Sequence, residues 1–104
     1  MVDRFNIVWS KESQQRFEEI SNYLASEWTQ KQVRNFEIKL KEFETVVAIF
    51  PFLFPESDKK HGLKRAVITK HNSVIYKADA GNKLIRVITI FDNRQHPKKL
   101  RKEV

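Results

Sequence analysis

Two heptad-like apolar stripes follow one another with almost no chain between them, and they restrict the fold more than any other feature. Phe17, Ile20, Leu24 and Trp28 recur at spacings of three, four and four, which puts them on one face of an amphipathic helix over roughly residues 11–28. Val33, Phe36, Leu40, Phe43, Val47 and Phe50 then recur at 3-4-3-4-3, an a/d seam. Ser10 is placed to cap the first helix, with Glu12 in its first turn where the dipole favours an anion. Thr29-Gln30-Lys31-Gln32 reads as a capping box that starts the second. Two capped helices joined this tightly are expected to fold back as an antiparallel hairpin, each arm on the order of 30 Å long. The aromatic seam is read as core packing.

The remainder reads as strands. Phe5, Ile7 and Trp9 alternate with Arg4, Asn6 and Val8, the period of a half-buried strand. Pro51 stops the second helix, and the rings of Pro51-Phe52-Leu53-Phe54-Pro55 are expected to cover one end of the core. After a polar loop from Glu56 to Gly62, strands are predicted at 64–69, 72–78 and 83–91. Lys70-His71 forms the first turn. Asp79-Ala80-Gly81-Asn82 forms the second, where Gly81 or Asn82 can take a positive φ. Short turns between consecutive strands imply an antiparallel meander. The expected class is α+β, in the order β-α-α-β-β-β, with the helical hairpin packed on one face of a small antiparallel-meander sheet. The 104 residues suit one domain, residues 1–104.

Composition narrows the function. Eight Phe and two Trp supply a core. No apolar run approaches the ~20 residues of a membrane span, and the N-terminus lacks a signal-peptide core. With no cysteine, thiolate metal sites and disulfides are excluded, in keeping with a reducing cytoplasm. His61, His71 and His96 have no acidic partner at ligand spacing, a weak basis for a metal site. Two glycines cannot make a phosphate-cradling loop. No cofactor and no small-molecule substrate are expected.

Charge is sharply divided. Residues 1–58 hold seven Lys/Arg against ten Asp/Glu, a balance of −3, whereas residues 59–104 hold thirteen against three, a balance of +10. Such a split suits a polyanionic or acidic partner. The segment Leu84 to Lys102 runs from an apolar β-branched strand into the cationic ending Asn93-Arg94-Gln95-His96-Pro97-Lys98-Lys99-Leu100-Arg101-Lys102. The tail after Pro97 is expected to fray or to add a late turn of helix. Arg86 interrupts the apolar strand. It is read as structural, either on the solvent face or paired with a carboxylate.

In order and spacing, the chain resembles the RelE/ParE superfamily of bacterial type II toxins over nearly its whole length. The resemblance rests on Val8-Trp9-Ser10 closing the first strand, Ile20, Tyr23 and Leu24 in the first helix, and Phe50-Pro51 ending the second. It continues through Gly62-Leu63-Lys64-Arg65, Val74-Ile75-Tyr76-Lys77, and Ile85-Arg86-Val87 leading to Arg94-Gln95-His96-Pro97. The Arg-x-x-Pro ending is typical of the ParE-like branch and its plasmid-stabilisation relatives.

The resemblance implies a growth-inhibiting toxin restrained by a cognate acidic antitoxin that folds on binding. The groove between hairpin and sheet is the expected seat of that antitoxin, covering Arg65 and Arg94. Three activities remain open on such a fold. The favoured one is a ParE-like inhibitor that binds DNA gyrase, with Lys59, Lys60, Lys64, Arg94, Lys98, Lys99 and Arg101 as target-binding residues. The alternative is a RelE-like, metal-independent mRNA endonuclease acting on the ribosome. There Arg65 and Arg94 would stabilise the transition state, His96 would act as acid or base, and Lys59, Lys60 and Lys64 would hold phosphates. Against that alternative, RelE-type nucleases usually carry a late Tyr or a well-placed His, and the tail here has no aromatic. Tyr23 and Tyr76 are read as core or rim residues. The third activity is a degenerate member that binds its antitoxin and harms nothing.

Overall fold

The computed structural model describes residues 4–57 and 62–92. Its elements are β1 (Asn6–Trp9), α1 (Lys11–Glu27), α2 (Gln30–Ile49), β2 (Lys64–Thr69), β3 (Asn72–Asp79) and β4 (Leu84–Asp92). The α+β class and the β-α-α-β-β-β order are those read from the sequence.

The helix starts follow their caps. The Ser10 hydroxyl accepts from the Ser13 N–H at 3.0 Å and donates to the Ile88 carbonyl at 2.8 Å, so one side chain both caps α1 and ties it to β4. Thr29 Oγ1 accepts from the Gln32 N–H at 3.3 Å. Phe36, Leu40, Phe43 and Val47 of the seam are buried, and the Phe17 and Phe36 rings stack across the hairpin at 5.9 Å. The two stripes end sooner than their spacing suggests. Trp28 and Phe50 are the C-caps of α1 and α2, both with non-helical backbone. Leaving the helical path turns them off the seam, and they stand 42% and 59% exposed.

The sheet order is β1-β4-β3-β2. β2, β3 and β4 form the expected antiparallel meander. β1 adds a parallel edge beside β4, pairing Ile7 with Ile85 and Trp9 with Val87, so the whole sheet is mixed. In the turn before β4, Asp79 Oδ1 accepts from the Asn82 N–H at 3.1 Å and Oδ2 from the Asn82 side-chain amide at 2.9 Å. These bonds hold the Asp79 carboxyl below its usual range, the side-chain bond most of all. With Asn82 fixed this way, the positive φ falls on Lys83, at 53°, instead of on Gly81 or Asn82.

One face of the sheet packs on the helices. Ala66, Val74, Tyr76, Ile85, Val87 and Ile90 point into the core. Phe54 is the ring of the Pro51–Pro55 loop that covers the core's end, 5.7 Å from Phe43 and 6.2 Å from Tyr76. Phe52 and Leu53 stay exposed. The Tyr76 hydroxyl donates to the Pro51 carbonyl at 3.0 Å. Burial pushes its phenol from 10.0 up to about 12, with the Phe54 backbone pulling the other way.

Tyr76→Phe is therefore expected to cost about 1 kcal/mol near neutral pH, the net worth of such a hydrogen bond. A phenol harder to ionise in the folded state stabilises fully below pH 10, and that stabilisation is lost as pH rises towards 12. Urea unfolding of both proteins across that window should show their difference shrinking. A constant difference would contradict the assignment.

Candidate functional site: the open face of the sheet

The face of the sheet turned away from the helices is built by strand alternation. Ser73, Ile75 and Lys77 of β3 alternate with the core residues Val74 and Tyr76, so they lie on this second face, where Lys77 is exposed and Ser73 and Ile75 are buried. Register extends this face into three rows. Val67, Ser73 and Phe91 lie side by side across β2, β3 and β4, followed by Arg65, Ile75 and Thr89. Past an irregularity that leaves Ile88 out of the ladder, Lys77 pairs with Arg86, and Arg86 with Val8 of β1. The bulge matters because without it Thr89 and Phe91 would swap faces with Ile90.

The rows combine apolar area with cations. Val67 is 63% exposed and Phe91 40%, an uncovered apolar edge on a protein this small. Arg65 stands in the middle row, its Nε–H donating to the Ser73 hydroxyl at 3.2 Å. Ser73 is buried, so the guanidinium is oriented from below by a group that is itself fixed. Arg86 is exposed and lies 4.0 Å from Asp79. Both structural readings of this residue therefore hold, and it also flanks Lys77 on the open face.

Lys64 does not join Arg65. Alternation sends it to the opposite side, where Nζ donates to the Phe54 carbonyl at 3.3 Å and sits 5.7 Å from the Phe52 ring. That position braces the loop. Lys59, Lys60, Arg94, His96, Lys98, Lys99 and Arg101, together with His61 and the tail after Pro97, lie outside the described residues. At the root of that tail, Asp92 is buried, and its carboxylate accepts from the Asn72 side-chain amide at 2.6 Å. β4 thus leaves the sheet from an anchored point.

The helical side has the opposite character. The crevice between α1 and α2 is floored by Trp9, Phe17 and Leu40 and rimmed by Glu18, Glu37 and Glu44. Glu44 Oε2 accepts from the Trp9 indole N–H at 2.9 Å. With three carboxylates against one cation, Lys41, this rim disfavours an acidic segment, and the core fills the space between hairpin and sheet. An occupant of the expected hairpin–sheet groove would lie on the wrong side of the sheet from Arg65.

No family model and no curated protein matches the sequence. Solved structures match its shape. The chromosomal ParDE toxin–antitoxin system of P. aeruginosa superposes with a TM-score of 0.69 at 9% identity, over 86% of this chain and 97% of that one. The YoeB/ParE toxin from Agrobacterium tumefaciens gives 0.63 at 15% identity, over 84% and 96%. The RelBE2 toxin–antitoxin complex from Mycobacterium tuberculosis gives 0.60 at 8% identity, over 86% and 98%. The chain has the RelE/ParE toxin fold.

At such identities few side chains are shared, so the functional reading rests on this chain's own open face. Sequence reasoning found its cation Arg65. It passed over Val67, Ser73, Ile75, Lys77 and Phe91, which it assigned simply to strands. The signal was available in the alternation along β3: once Val74 and Tyr76 are core, Ser73, Ile75 and Lys77 share the other face. Among the described residues no helix is long and apolar enough to cross a membrane, and no group of His, Asp and Glu is arranged to hold a metal ion.

Proposed function

We propose that the chain is the toxin of a type II toxin–antitoxin module and that it acts by docking on a protein, in the manner of the ParE-like gyrase inhibitors. The mixed open face carries this reading. Exposed Val67 and Phe91, one row from an oriented Arg65 and two rows from Lys77 and Arg86, combine apolar anchors with cations. Aromatic and Arg anchors of this kind dominate protein interfaces. The cognate antitoxin is expected to bring an acidic, amphipathic segment to the same face, where charge and apolar area both complement it. The tail cations Arg94, Lys98, Lys99 and Arg101 would extend the surface.

One observation favours the nuclease alternative. Arg65 is held by the buried Ser73, and a preoriented guanidinium is what a phosphoryl transition state needs. Arg94 and His96 would then complete the site. Induction without antitoxin, with DNA synthesis and translation followed separately, distinguishes the readings. The docking reading expects DNA damage while translation continues at first. Immediate loss of translation with cuts inside codons would replace it with the nuclease. Undisturbed growth would leave only antitoxin binding.

A further inference from the structure

A second cationic site lies on the helical side of the sheet, away from Arg65. The N-terminal half of α2 and the β2–β3 turn enclose a cleft of about 310 Å³. Lys39 and Lys70 line it with His71, and the amides of Gln32, Asn35 and Asn72 complete its polar wall. No carboxylate is among its lining residues. This contrasts with the Glu-rimmed crevice between the helices.

The floor is rigid. Asn72 is buried, and its side chain is pinned at both ends. Thr69 Oγ1–H donates to its Oδ1 at 2.6 Å, and its own amide donates to Asp92 at 2.6 Å. Asp92 therefore lies behind Asn72 with its charge already engaged. The turn is held as well, because the His71 N–H donates to Thr69 Oγ1 at 3.2 Å. These bonds hold the turn on β4 and occupy the Asn72 amide N–H groups, so the cationic donors of the cleft are Lys39 of α2 and Lys70 of the turn. Among the described residues, the competing contact is Lys39 with Glu42 at 3.7 Å, between half-exposed side chains. Exposed pairs of this kind are worth little and yield readily to a stronger anion.

Two ammonium groups, an imidazole and neutral amides, without a carboxylate, suit a compact anion with several acceptor oxygens. We infer that this cleft binds a phosphate group, held chiefly by Lys39 and Lys70. Phe36 also lines the cleft, but its ring is buried and stacked on Phe17, so it offers no face to a base. The two ammonium groups make the phosphate the part of a ligand this lining engages most strongly. It is separate from the open face and does not depend on which target that face meets.

The test is an amide NMR titration of the full chain at low ionic strength. One arm adds inorganic phosphate, a second adds a short single-stranded RNA, and a third adds chloride at matched ionic strength. The expected result is saturable shifts concentrated at Gln32, Asn35, Lys39, Lys70, His71 and Asn72. A Lys39→Gln, Lys70→Gln double variant should weaken binding at least about tenfold, or 1.4 kcal/mol. Both side chains are exposed, so the variant keeps its fold, which its spectrum verifies. Shifts from both phosphate and RNA assign the site to the phosphate group itself. Shifts from RNA alone assign it to the nucleic-acid backbone. Equal shifts with chloride, shifts centred on Arg65, or unchanged binding by the double variant would each overturn the inference.

Discussion

Phe36→Ala is expected to remove a large share of the protein's stability. Phe36 is 1% exposed in the middle of the α2 seam and stacks on Phe17 of α1 at 5.9 Å. It is therefore the ring through which the two helices meet. Truncating a buried Phe to Ala costs about 3–5 kcal/mol, from lost transfer energy and from the cavity left behind. Domains of this size have roughly 5–15 kcal/mol in total. Urea unfolding should show a large fall in midpoint with an unchanged slope. A loss under about 1 kcal/mol would mean that α1 and α2 do not meet through this ring. Phe50→Ala is the matching control, because the same residue type at the end of the same apparent seam is mostly in water.

That contrast between Phe36 and Phe50 shows what the sequence made legible. Spacing and caps reveal helices because both are local: Ser10 and Thr29 sit next to the helices they start. The same spacing cannot say where a stripe stops being buried, since that depends on the backbone leaving the helix at Trp28 and Phe50. The parallel pairing of β1 with β4 had no local signature. It joins residues nearly eighty positions apart, such as Ile7 and Ile85, and only the assembled core selects it.

The candidate site was legible as chemistry and hidden as geometry. The cationic second half pointed to Arg65, but neighbouring Lys64 and Arg65 look equivalent on the page and face opposite sides of the sheet. Which residues share the open face depends on the bulge at Ile88, and a single inserted residue exchanges the faces of everything beyond it. The Ser10 hydroxyl that holds the Ile88 carbonyl comes from the far end of the chain, so no reading of β4 alone could have placed Thr89 and Phe91.

Arg65→Glu is expected to abolish growth arrest under induction without antitoxin. Arg65 is exposed and its bond to Ser73 is modest, so the variant remains folded. The substitution replaces a cation with an anion in the middle row of the open face, on the edge strand β2, between the row of Val67 and Phe91 and the row of Lys77 and Arg86. Loss of an oriented arginine anchor costs about 2–4 kcal/mol, or roughly 30- to 1,000-fold in affinity. On the proposed docking on gyrase, the concentration needed to inhibit supercoiling should rise by that factor. Arg34→Glu makes the same change in net charge on exposed α2, on the other side of the sheet. Long-range attraction is screened within about 8 Å at physiological salt, so Arg34→Glu should leave inhibition nearly intact. Equal losses in the two variants would show that only overall charge matters and would remove the open face as the docking site. If the wild-type protein leaves gyrase untouched and Arg65→Glu instead stops cleavage of ribosome-bound message, the same guanidinium serves the nuclease reading. Its seat on Ser73 would then orient a charge for catalysis.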